Sequence, residues 1–126
     1  MGYIHTEIEL SNPRLPLLAK MKVTSMVDTG ALMLCIPDHV RVQLQLEEVE
    51  KREVTIANGQ KQLVSYVGPI QVRFENRSCF VGALVLGDDV LLGAVPIEDM
   101  DLIIIPSARK ITVNPQSPNF PHALVK

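Results

Sequence analysis

The sequence predicts an all-β fold of barrel type with one or two short helices, and three observations carry the prediction. Pro and Gly punctuate the chain at short intervals, at Pro13, Pro16, Gly30, Pro37, Gly59, Gly68-Pro69, Gly82, Gly87, Gly93, Pro96 and Pro106. Between them lie short apolar and β-branched runs, the pattern of strands joined by turns. Two of these runs flank Asn58-Gly59, which marks the tip of a tight hairpin.

Thr6 to Leu10 alternates weakly, and Val23 to Val27 is a β-branched apolar run. Leu32 to Ile36 is a further strand that stops at Pro37. Pro37-Asp38 then has the composition of a helix start, so a short helix is expected over residues 38 to 44. Lys51-Arg52 sits among Glu47, Glu48, Glu50 and Glu53, and this segment reads as a solvated charged stretch. Glu53 to Ala57 enters the Asn58-Gly59 turn and Gln60 to Val67 leaves it, with positive φ expected at both turn residues. Ile70 to Phe74 alternates as a separate strand, turns at Glu75-Asn76-Arg77, and returns through Cys79 to Leu86. Cys79, Val81, Ala83 and Val85 share one face of that return. Asp88-Asp89 marks a turn, and Val90-Leu91-Leu92-Gly93 reads as a buried strand ending at Gly. Pro96 to Met100 begins with Pro and carries acids, as a first helical turn does. Leu102 to Ile105 and Lys110 to Val113 complete the strands, and Pro115, Pro118 and Pro121 keep the tail extended.

Composition narrows the function classes. The 126 residues are read as one domain, with a core over about 20–113 and a Pro-rich tail over 114–126. The chain is 47% hydrophobic and 21% charged, an ordinary globular balance. A net charge of -2 with scattered basic residues gives no support to nucleic acid or an anionic membrane as partner. No Trp is present, which argues against an aromatic platform for stacking bases. Cys35 and Cys79 are too few for a disulfide scaffold and read as buried thiols. No apolar signal segment follows Met1, and apolar runs are broken before membrane-spanning length. A soluble cytoplasmic protein is the expectation. No metal or cofactor is expected either: His5, His39 and His122 lack zinc-ligand spacing, and no phosphate-loop motif is present. Glu98, Asp99 and Asp101 read as part of a helix N-terminus.

The residue that suggests chemistry is Asp28. It ends the apolar run Val23 to Val27 and is followed at once by the small turn Thr29-Gly30-Ala31. A carboxylate in such a place is costly unless it is hydrogen-bonded, paired or solvated. One reading is a turn carboxylate bonded to local N–H groups. The other uses the order of three features: Val27-Asp28-Thr29-Gly30-Ala31, the hairpin at Asn58-Gly59, and Val90-Leu91-Leu92-Gly93 before a short helix. In that order they resemble the retropepsin-like aspartic proteases, the retroviral proteases and their bacterial single-domain relatives.

The resemblance implies a closed acid-protease barrel, homodimeric, that hydrolyses peptide bonds in an extended peptide or protein substrate. Asp28 would be the catalytic carboxylate, and because Asp-Thr-Gly occurs once, two chains would supply the pair. Thr29, Gly30 and Ala31 would form the loop at the dimer axis. Ala57, Asn58 and Gly59 would form the tip of a mobile flap. Leu92 and Gly93 would pass close to the catalytic loop, with no side chain on Gly93 to obstruct another backbone. Two adjacent carboxylates share one proton, the established pattern of the aspartic-protease dyad, and such a pair performs general acid–base catalysis on a trapped water. Ala31 cannot donate the hydroxyl hydrogen bond that Ser or Thr would offer the carboxylate, so activity at weakly acidic to neutral pH is expected. The alternative is a catalytically silent dimerisation or peptide-binding module on the same fold.

Overall fold

The computed structural model describes residues 3–126. Along them run β1 (Ile4–Ser11), β2 (Met21–Val27), β3 (Leu34–Ile36), α1 (Asp38–Gln43), β4 (Glu48–Thr55) and β5 (Lys61–Phe74). After these come β6 (Arg77–Val85), β7 (Val90–Leu92), α2 (Ala94–Asp99), β8 (Leu102–Ile105) and β9 (Lys110–Val113), with a single 3-10 turn at Pro106–Ala108 between the last two strands. No helix of the described residues is long and apolar enough to cross a membrane.

Seven strands form one sheet in the order β1-β2-β7-β3-β6-β5-β4. β1 also pairs with β5, through Glu9↔Arg73, Leu10↔Val72 and Ser11↔Gln71, and this closes six of the strands into a barrel. Closure gives each of those strands a partner on both sides over part of its length. Alternation fills the interior: Ile8 and Leu10 of β1 are buried while His5 and Glu7 are exposed. Leu34, Ile36, Val67, Ile70, Val72 and Leu92 complete the centre of the core, each fully buried. Burial of side chains of this size stabilises by about 1.5–3 kcal/mol each. The one buried hydroxyl of β2 is satisfied, Ser25 Oγ donating to Thr6 O at 3.0 Å.

Four local expectations change in the fold. β5 is one strand of 14 residues that runs through Gly68-Pro69, where the ladder to β6 shifts register between Val67 and Ile70. The bulge bends the strand, so one half builds the hairpin with β4 and the other builds the barrel wall. The charged segment before the hairpin is itself a strand, β4, whose charges point into solvent from a sheet edge. The hairpin loop holds three residues, with Ile56 N donating to Gln60 O at 2.9 Å, and positive φ falls on Gly59 but not on Asn58. The Asn58 side chain explains this: its Oδ1 accepts from Gln60 N at 2.9 Å, a local turn that needs no left-handed Asn. The fourth change is α2, which begins at Ala94, so Pro96 is its third residue and Glu98 and Asp99 lie in its last turn.

That early start has a tertiary cause. Ala94 N donates to Ala31 O at 2.9 Å and Val95 N donates to Leu32 O at 2.8 Å. The first amides of a helix have no partner inside it. Here the loop after β2 supplies carbonyl partners for two of them.

Candidate active site

β2 and β7 run parallel with Val27 opposite Leu92, and Asp28 N extends the ladder by donating to Leu92 O at 3.0 Å. The chain then turns across the end of β7 to reach β3. Ala31 N closes this turn on Asp28 O at 3.1 Å. Gly30 N donates to Asp28 Oδ1 at 3.0 Å, which orients the carboxylate from its own loop. Asp28 is half-buried, and Thr29 and Gly30 are exposed at the turn.

Gly93 lies directly beneath this loop. A Cβ built there would stand 2.2 Å from Met33 O and 2.7 Å from Ala31 O, both backbone atoms. Only a residue without a side chain lets the two segments pass at this separation. The close approach in turn permits the α2 amides to reach Ala31 O and Leu32 O.

The Asp28 carboxylate opens into a cleft of about 690 Å³. Gly30 and Ala31 line its floor, and Val54, Thr55, Ile56 and Ala57 of the β4 arm line the opposite side. Leu84, Leu86 and Leu91 add an apolar wall. The cleft therefore combines the Asp28 carboxylate with apolar surface and a strand that runs along it and adds Arg52 and Glu53 to the lining, which suits an extended peptide. Of the residues expected at the site, Asp28, Gly30, Ala31 and Ala57 meet in this cleft. Thr29, Asn58, Gly59, Leu92 and Gly93 do not line it: Thr29 sits on the exposed turn, Asn58 and Gly59 project beyond as the hairpin tip, and Leu92 and Gly93 support the loop from below.

Several lining residues escape sequence reasoning. Val54 and Ile56 alternate with exposed Thr55, a signal that was available. Leu84 and Leu86 carried none, because only the parallel pairing of β3 with β6 brings them to the loop. Cys35 also lines the cleft. Burial raises its thiol pKa, and the Asp28 charge raises it further, so it stays a neutral thiol. At the outer end, Arg52 lies over the Tyr66 ring, 3.8 Å from its centroid, and Arg52 Nε donates to Glu50 Oε2 at 2.9 Å. Tyr66 in turn covers Gly82, where any Cβ would fall 2.1 Å from the ring. Tyr66 thus packs within the β4–β5 arm and does not sit at its tip.

The tail is anchored away from the cleft. Asp101 accepts hydrogen bonds from Ser117 Oγ at 2.5 Å, His122 N at 2.9 Å and Asn114 Nδ2 at 3.1 Å. The Ser117 bond, then the His122 and Asn114 bonds, then nearby Arg77 hold this carboxyl down to about 2. Arg77 is fully buried, donates from Nη2 to Ser117 O, and stands 3.8 Å from Asp101 Oδ2.

No protein-family model matches the sequence, and no curated protein matches it. Solved structures do match its fold. The EIAV protease complexed with the inhibitor HBY-793 superposes with a TM-score of 0.58 at 16% identity, over 82% of this chain and 93% of that one. The simian foamy virus (mac) protease in solution gives a TM-score of 0.46 at 17% identity, over 73% of this chain and 91% of that one. With its closed six-stranded barrel, two short helices and a loop and hairpin arranged about one cleft, the chain has the retropepsin-like fold.

Proposed function

We propose that this chain is an aspartic endopeptidase acting as a homodimer, in which the Asp28 carboxylates of two copies share the active site. The observation that carries the reading is Asp28 itself, oriented by Gly30 N in an apolar cleft roofed by the β4 arm. One carboxylate per chain is half of a proton-sharing pair. In the pair, the ionised member takes a proton from a water while the protonated member donates to the scissile carbonyl. Substrate lies extended between loop and hairpin and pairs by backbone hydrogen bonds. Ala57, Asn58 and Gly59 act as the flap tip that gates entry. Thr29 lies at the dimer axis, where its exposed position on the turn leaves it accessible to a second copy. A cytoplasmic setting belongs to the same proposal, supported by two cysteines that are free and buried.

The test is a cleavage profile on a complex peptide mixture, read by mass spectrometry across pH. Wild type and Asp28→Asn are compared at a concentration where both are dimers. Cuts made by wild type and absent from Asp28→Asn are expected. No cuts from a folded wild-type dimer would remove the peptidase reading and leave a peptide-binding or dimerisation module.

A further inference from the structure

Glu50, Arg52, Val54 and Ile56 share one face of the β4 arm, because alternate residues of a strand point the same way. Arg52, Val54 and Ile56 are half-buried, whereas Lys51, Glu53 and Thr55 between them are exposed. Among the described residues that line the cleft, Arg52 is the one cation. Lys51 is engaged on the opposite face, 3.0 Å from Glu48 Oε1 and donating to Ser65 Oγ at 3.2 Å. Glu53 also lines the cleft, and alternation sends its side chain the way of Lys51 and Thr55.

The Arg52 guanidinium is held in place from below and from one side. It lies 3.8 Å from the centroid of the Tyr66 ring, on β5 opposite Glu50. Tyr66 is itself fixed by Gly82 of β6: a Cβ there would stand 2.1 Å from the ring, so the ring occupies the place of a side chain. Arg52 Nε donates to Glu50 Oε2 at 2.9 Å. The β5 residue directly opposite Arg52 is Val64, which is buried and has no charge to offer. Among the described residues, Arg52 Nη1 and Nη2 donate to nothing, and the side chain is 41% exposed. A fixed guanidinium with two adjacent nitrogens free matches the two oxygens of a carboxylate.

We infer that Arg52 recognises a carboxylate side chain of the bound peptide, so that the cleft takes extended peptides that are apolar beside Val54 and Ile56 and acidic toward an end. The inference rests on the reading of the cleft as a peptide site and names the substrate class for it. Arg52 stands four residues before Ile56, about 13 Å along a strand. The acid therefore lies about four residues from the peptide side chain that faces Ile56. In the proposed pair each chain supplies one Arg52, at opposite ends of a shared cleft, so either end of the peptide can carry the acid. Hydrogen bonds between two charged groups are stronger than neutral ones, so Glu is favoured over Gln at that position. Tyr66 is a positioning residue, acting through Arg52 alone.

Peptide binding to the full chain carrying Asp28→Asn, which is not expected to cut, tests this. The chain has no Trp, so a single Trp in each peptide reports binding through its fluorescence anisotropy. Apolar peptides with one Glu, moved from position to position, are compared with their Gln counterparts, and circular dichroism confirms the folding of each variant. Glu is expected to bind about tenfold more tightly than Gln toward an end of the peptide, and no more tightly at its centre. Arg52→Glu should abolish that preference and favour Lys at the same position, a reversal that a loosened arm does not produce. Tyr66→Leu should reduce the Glu-to-Gln ratio to about twofold, whereas Tyr66→Phe, which keeps the ring, retains it. Equal binding of Glu and Gln at every position, a preference that survives Arg52→Glu, or no binding by any peptide would overturn the inference. Should Arg52→Glu fail to fold, Arg52→Gln decides by the same ratio. Cleavage by wild type is scored separately. A chain that shows the preference but cuts nothing refutes the peptidase alone, whereas one that binds and cuts Glu and Gln peptides alike refutes the Arg52 subsite alone.

Discussion

Gly93→Ala adds one methyl group where the chain leaves β7 and passes beneath the Asp28 loop. The backbone of Gly93 has φ -86 and ψ -176, a conformation that Ala adopts freely, so the substitution brings no torsional strain. Its whole cost is contact, because the new Cβ would stand 2.2 Å from Met33 O and 2.7 Å from Ala31 O. Neither atom is the end of a flexible side chain, so the loop itself must move. Overpacking of this kind costs about 1–3 kcal/mol. Moving the loop also disturbs the bonds from Ala94 N to Ala31 O and from Val95 N to Leu32 O. Each is worth roughly 0.5–1.5 kcal/mol, so a loss on the order of 3 kcal/mol is expected. At a urea slope of about 1.5 kcal/mol per M, that loss lowers the unfolding midpoint by about 2 M. Gly87→Ala is the control: Gly87 has φ +73, and a Cβ there meets nothing within 4 Å. Its cost is left-handed backbone alone, roughly 1–2 kcal/mol. If Gly93→Ala stays within about 0.5 kcal/mol of wild type, the close passage beneath the loop is not what requires glycine.

Three further outcomes concern the site and the tail. Ala31→Ser supplies a hydroxyl beside the Asp28 carboxylate and favours its ionised form, so the acidic limb of the pH–rate profile should move to lower pH; an unmoved limb rejects the idea. Asp101→Asn removes the charge that gathers Ser117, Asn114 and the His122 amide, and should expose the bonds after Pro115 to limited proteolysis while Asp28 remains oriented. In wild type the same anchor is strongest above the ordinary carboxyl value of 3.8. It is lost as pH falls from there through about 2, because the folded pKa is the lower one. Tail protection that does not change over that interval would contradict the assignment.

The Asp28 loop, the hairpin and α1 were legible because each is written in adjacent residues. A carboxylate after a β-branched run, Asn before Gly, and Pro37 before Asp38 act through local torsions and local hydrogen bonds, which hold wherever the segment lies. The partners that finish each element were not legible. α2 starts two residues before Pro96 because carbonyls more than sixty positions earlier receive its first amides. β5 continues through Gly68-Pro69 because the ladder to β6 absorbs a bulge there. Asp101, read as one acid among several near a helix start, became the anchor of the tail because Arg77 and Ser117 arrive from distant strands and turns. The sequence alone thus settled where a carboxylate and a hairpin would stand and that the chain would be all-β. Tertiary structure decided which strands face the cleft, why Gly93 bears no side chain, and what anchors the tail, since these depend on groups brought together from distant parts of the chain.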